Sequence, residues 1–150
     1  MKLLLAKNPL HWEHERARRA LAYERIDYKL LLRGMIRKYF WNCFAVPPVI
    51  FRKLHPDHPA HLETTHNRTT HEFWGYRIVL DSFELASWLL EEGIPLTAVL
   101  AHELCHLYRQ EVEGLVGNHT SGFDNLCETV RFRHDCPVVD GKGFYLKPIR

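Results

Sequence analysis

Long apolar runs, paired cysteines and a strong excess of one charge are all missing from these 150 residues. Each absence excludes a class of protein. A membrane span takes about 20 apolar residues and a secretory leader about 7–15. The opening run, Leu3 to Ala6, is four residues long and ends at Lys7. The expected setting is therefore aqueous and reducing, that of a cytoplasmic protein with no membrane partner. Cys43, Cys105, Cys127 and Cys136 are scattered and form no Cys-x-x-Cys pair, which argues against a disulfide scaffold and a zinc ribbon. With 8 glycines, 8 prolines and no repeat, the chain is neither collagen-like nor of low complexity. A net charge of +2 is too small to imply a nucleic-acid partner by itself. Local basic blocks, Arg16, Arg18 and Arg19, then Arg33, Arg37 and Lys38, have the spacing of solvated helix faces. What remains is 46% hydrophobic and 25% charged, the balance of one globular domain over 1–150 with a real core.

Leu10 to about Phe40 holds one glycine and no proline, is rich in good helix formers, and carries apolar residues at helical spacing. It reads as an N-terminal helical region, about 10–41, formed by one long helix or by two with a weakness at Ile26-Asp27 or Gly34. A metal-binding core is expected over about 46–135. Val49-Ile50-Phe51 suits a short strand. His55 to His71 holds five histidines, two prolines and four threonines and reads as a loop, better suited to solvent than to a second metal site. Phe73 to Leu80 alternates as a half-exposed strand. Ser82 suits the N-cap of a short helix closed by Gly93. Pro95 suits the first turn of the next helix, which runs to about Glu113. A short helix is expected from Phe123 to Val130, and Phe144-Tyr145-Leu146 suits a last strand.

The chemistry is concentrated in the Pro95 helix, in His102-Glu103-Leu104-Cys105-His106. Residues four apart share a helix face, so both imidazoles can reach one ion. Neutral imidazole nitrogen suits zinc, and the adjacent glutamate is placed to take a proton from activated water. For a chain with 11 histidines and 12 glutamates, roughly 0.06 chance matches to this pattern are expected. The helix is otherwise apolar on nearly every face, so these polar groups are costly there unless something satisfies them. A metal does so; a mutual hydrogen bond is the alternative. A catalytic zinc takes three protein ligands and one open position, and His119, Asp124, Glu128, His134 and Asp135 are the downstream candidates for the third. Glu128 also suits a role orienting a ligand histidine.

The run His102-Glu-Leu-Cys-His106-Leu-Tyr, a glycine-bearing loop and then His119-Thr-Ser-Gly-Phe123 resembles the SprT-like zinc metalloproteases over about residues 73–132. The expected fold is α+β, with a small mixed or antiparallel sheet of about three strands, a central His-Glu-x-x-His helix and a long N-terminal helical region; the resemblance implies that its core is zincin-like. It also implies His102, His106 and His119 as zinc ligands, Glu103 as general base, and hydrolysis of protein or peptide substrates, in some members proteins attached to DNA. The cysteine-rich ribbon of many members has no counterpart in this sequence.

The expected function is that of a zinc-dependent endopeptidase. The alternative is a zinc-stabilised, non-catalytic binding or regulatory module on the same scaffold, and DNA binding by the arginine blocks is an accessory expectation. Cys105 reads as a small core residue. Trp74 and Tyr76 suit either the core or an edge to which an extended substrate adds. Tyr108, Arg131, Arg133 and His134 are candidates for polarising a substrate carbonyl.

Overall fold

In a computed structural model, which describes residues 9–55, 58–114, 126, 138–139 and 145–147, the first helical stretch divides into α1 (Pro9–Glu24) and α2 (Tyr28–Tyr39). Of the two expected weak points, the one at Ile26-Asp27 breaks and Gly34 lies within α2. The reason is a cap: the Asp27 carboxylate accepts the Leu30 N–H at 3.1 Å, satisfying one of the donors a helix start leaves exposed. Tyr28, Leu32, Met35, Ile36 and Tyr39 recur at helical spacing and are buried, while Lys29, Arg33, Arg37 and Lys38 face solvent. The chain leaves α2 through a tight turn, with Trp41 at φ 56° and the Asn42 N–H on the Ile36 carbonyl at 3.0 Å. Asn42 too has a positive φ, 55°, so two consecutive residues turn the chain through the left-handed region without glycine.

Three strands form one mixed sheet in the order β1-β3-β2. β1 (Val49–Phe51) is parallel to the central β3 (Phe73–Leu80), and β2 (Ala60–His66) is antiparallel to it. The strand β2 corrects the expectation of a loop over His55 to His71. Among the described residues it pairs on one side only, and few of its side chains are apolar; Ala60 and Leu62 pack on the core while Glu63 and the threonines accept a half-exposed pleat. β3 is half-exposed only at its start: Phe73 and Trp74 are exposed, whereas Ile78, Val79 and Leu80 are wholly buried. The expected tail strand exists as β5 (Tyr145–Lys147), but it pairs with β4 (Val138–Val139) in a separate two-stranded sheet. The helix expected at Phe123 to Val130 lies outside the described residues except for Leu126, which is helical and packs against the core.

A charged clasp ties the three strands together. The Glu63 carboxylate of β2 accepts from Arg52, just past β1, at 2.8 Å and from Arg77 of β3 at 2.6 Å, with the His61 ring at 3.0 Å. The Arg52 guanidinium first, then His61 and Arg77, hold the Glu63 carboxyl well below the usual carboxylate range. A slip of one residue would turn every β2 side chain to the wrong face, and the clasp opposes it. The unfolded chain binds this proton near pH 4.5, more readily than the folded one. The stabilisation is therefore complete above that pH and is lost as pH falls below it. Glu63→Gln is expected to flatten the acid limb of stability against pH below about 4.5, read from urea midpoints. An unchanged acid limb would show the clasp to be inert.

α3 (Ser82–Glu92) is capped by Asp81 and not, as expected, by Ser82. One Asp81 oxygen accepts from Phe83 and Glu84 and the other from Leu54. The helix closes on Gly93 at φ 70°, a conformation glycine adopts without strain. Because Asp81 is buried and serves three amides, Asp81→Ala is expected to cost about 2 kcal/mol in denaturant unfolding. α4 (Leu96–Glu111) follows, and its residues Ala98 to Leu107 are all buried. Leu100 and Leu104 pack with Leu32, Ile36, Ile78 and Leu80 in one core. Mixed α+β architecture, with four full helices and a three-stranded sheet among the described residues, is thus observed. Among the same residues no helix is long and apolar enough to cross a membrane.

Candidate metal centre

His102 and His106 stand one turn apart on α4, and four steps of about 100° leave them nearly in line. They are 6% and 9% exposed, in the most buried helix of the fold. Their rings meet edge to face with centroids 4.8 Å apart, and the two Nε2 atoms lie 3.2 Å apart. Two nitrogens bound to one tetrahedral zinc at about 2.0–2.1 Å would be separated by about 3.3–3.4 Å. The pair therefore fits two corners of such a site without rearrangement. It equally fits a single shared proton, with one neutral ring donating N–H and the other accepting.

Glu103, 5% exposed, turns off the line of the histidines and accepts the backbone N–H of Leu62 on β2. Burial pushes its carboxyl up to about 8, against the smaller opposing pull of that amide. A carboxyl so placed keeps its proton near neutrality until a positive charge approaches, which then favours the ionised form.

The position of Leu62 also shows which edge of the sheet faces the site. Ile78 donates to Pro48 at 2.9 Å, so its peptide groups point toward β1. Its antiparallel partner Leu62 accordingly turns its own N–H and C=O away from β3. Glu103 thus sits against the outer edge of β2, and Thr64, two residues on, presents its peptide groups along the same edge. The edge beside the motif is β2 and not Trp74 and Tyr76, which belong to the central strand. Trp74 is 66% exposed, and Tyr76 packs on the core.

His102, Glu103 and His106 are brought together as the spacing requires. His119 lies outside the described residues, as do Asp124, Glu128, His134, Asp135, Arg131 and Arg133. Among the described residues no group of three or more His, Cys, Asp or Glu side chains is arranged to hold a metal. Four of the five histidines of 55–71 serve separate contacts: His55 on the His58 ring, His61 on Glu63 and His66 on the Phe73 ring. Cys105 is a buried core residue, as expected. Tyr108 is held by ring contacts with Phe40 and Trp41, which anchor the end of α4 to the turn after α2. Sequence reasoning missed Leu62, whose main-chain amide carries no side-chain signature; only Ala60 and Leu62, two apolar residues at alternate positions in a polar stretch, hinted at a strand there. No protein-family model, curated protein or solved structure matches this chain.

Proposed function

We propose that this chain is a zinc-dependent endopeptidase with a zincin-like core, of the SprT-like kind, that hydrolyses peptide bonds in protein substrates. The observation that carries the reading is the approach of the two buried Nε2 atoms to 3.2 Å beside a buried carboxyl at the outer edge of a strand. When bound there, zinc supplies a Lewis acid that acidifies water and polarises a carbonyl. His102 and His106 hold it, with His119 the third ligand that the sequence resemblance implies. Glu103 takes the proton of the attacking water and passes it to the departing amine. A cation beside it favours the ionised carboxylate, the form that accepts that proton. The outer edge of β2, at Thr64, holds an extended peptide by main-chain pairing and so keeps the scissile bond beside Glu103. For some members the resemblance implies substrates bound to DNA, and the exposed face of α2 bears Lys29, Arg33, Arg37 and Lys38 and no acidic residue.

The second reading, a zinc-stabilised binding module, is favoured by one observation: the Leu62 amide gives Glu103 a structural partner. X-ray absorption at the zinc edge separates the two. Three protein ligands and a water-derived oxygen are expected for the enzyme, and four protein ligands would overturn it, because a closed shell leaves no position for substrate.

A further inference from the structure

We propose that Phe73, flanked by His66 and Tyr76, is a specificity-determining residue that receives an aromatic side chain of the substrate, a role resting on the proposed use of the β2 edge by extended peptides. Side chains alternate along a strand, so residues three apart on β3 should face opposite sides of the sheet. Phe73 and Tyr76 do not: their rings meet edge to face with centroids 5.1 Å apart. The register supplies the reason. Thr65 pairs with Gly75 and His66 with Phe73, which leaves Trp74 as an extra residue in β3, a bulge. Gly75 sits at φ 152°, a conformation open to glycine and rarely to other residues. Its carbonyl accepts the Thr65 hydroxyl at 3.2 Å. The bulge turns Phe73 to the face that carries Tyr76 and Ile78. That face meets α4, since Ile78 packs with Leu100 and Leu104 and the Tyr76 hydroxyl donates to the Glu111 carboxylate. Bulges beside active sites re-aim side chains in this way.

Phe73 is both held and open. The His66 ring meets it edge to face at 5.8 Å, so two neighbours fix its orientation, yet 47% of it stays exposed. A ring already held in place loses little freedom when a ligand covers it, and a second ring adds edge-to-face attraction to apolar burial. Position along the edge sets which substrate residue arrives there. A peptide paired with the outer edge of β2 keeps its side chains in step with those of β2. The residue beside Leu62 shares a face with Glu103. The next two on that face lie beside Thr64 and His66, about 7 Å and about 13 Å further along. Thr64 is exposed and small, whereas His66 leads to the Phe73 ring. The preferred substrate therefore carries an aromatic residue four positions from the one beside Glu103.

The test uses the full, zinc-loaded chain carrying Glu103→Gln and two acetylated, amidated probes. One is Phe-Thr-Ser-Thr-Ala-Thr-Ser-Thr-Phe, whose two ends serve either chain direction; the other has alanine at both ends. In an NMR titration both probes are expected to shift the Thr64 amide, the first with about tenfold tighter binding. In Phe73→Ala the two probes should bind alike, while Trp74→Ala should keep the difference. Nuclear Overhauser contacts between the probe ring and Phe73 in the chain with Phe73 intact keep the test independent of how that variant folds. Equal binding of the two probes with Phe73 intact overturns the proposal. So does a difference that survives Phe73→Ala, or no binding up to the solubility limit. Cleavage by the chain with Glu103 intact reads the catalytic proposal separately. Binding with ring contacts but no cleavage keeps the subsite and removes the endopeptidase. Cleavage of both probes with equal kcat/KM removes the subsite and keeps the endopeptidase.

Discussion

Glu103→Gln is expected to abolish peptide hydrolysis, with a loss of about 10²–10⁴-fold, while zinc content stays at the wild-type level. Glutamine keeps the shape of glutamate and can still accept the Leu62 amide, so the packing of α4 on β2 is retained. What disappears is the capacity to take a proton from water and hand it on. Burial raises the Glu103 carboxyl to about 8, so the metal-free protein gains little from the charge, and replacing it should not lower the unfolding midpoint. The readouts are cleavage of an unfolded protein substrate, metal content by mass spectrometry and the thermal midpoint. Wild-type cleavage by the variant would remove Glu103 from the mechanism, and a folded, zinc-loaded but inactive variant is the expected result.

Zinc itself should stabilise the wild-type fold strongly and His106→Ala should not respond. A ligand present at about a thousand times its dissociation constant stabilises the state that binds it by about 4 kcal/mol. For a domain of this size that corresponds to a rise in Tm of about 8–16 °C. His106→Ala removes one of the proposed donors and leaves a space in a buried helix, so its metal-free Tm will be lower. The quantity that matters is the difference between zinc and chelator within each protein. A shift of equal size in wild type and variant would place the metal elsewhere, and the absence of any shift in wild type would favour the shared proton as the bond between His102 and His106.

Much of the scaffold could be read from local pattern. The two N-terminal helices, β1, β3 and the capped α3 each depend on periodicity, on caps such as Asp27 and on glycines such as Gly93, all properties of neighbouring residues. The edge strand β2 escaped because its partner is remote. Thr64 and Thr65 favour strands, but among histidines and prolines that local preference does not outweigh the loop reading until Arg77 and Tyr76 of β3 are alongside. The same limit shifted the cap of α3 by one residue: Asp81 and Ser82 are both good caps, and the bond from Leu54 draws Asp81 inward.

The sequence by itself determined that two imidazoles and a carboxyl share one apolar helix, because spacing along an α-helix sets direction and apolar neighbours imply burial. Only the tertiary structure decided what meets that helix: the outer edge of β2, held in register by the Glu63 clasp, with its Leu62 amide on Glu103. Helix geometry follows from residues four apart in the chain. The pairing of Leu62 with Ile78 and the approach of Glu103 to Leu62 join segments far apart in the chain, and the energy of those contacts exists only once the whole core has closed.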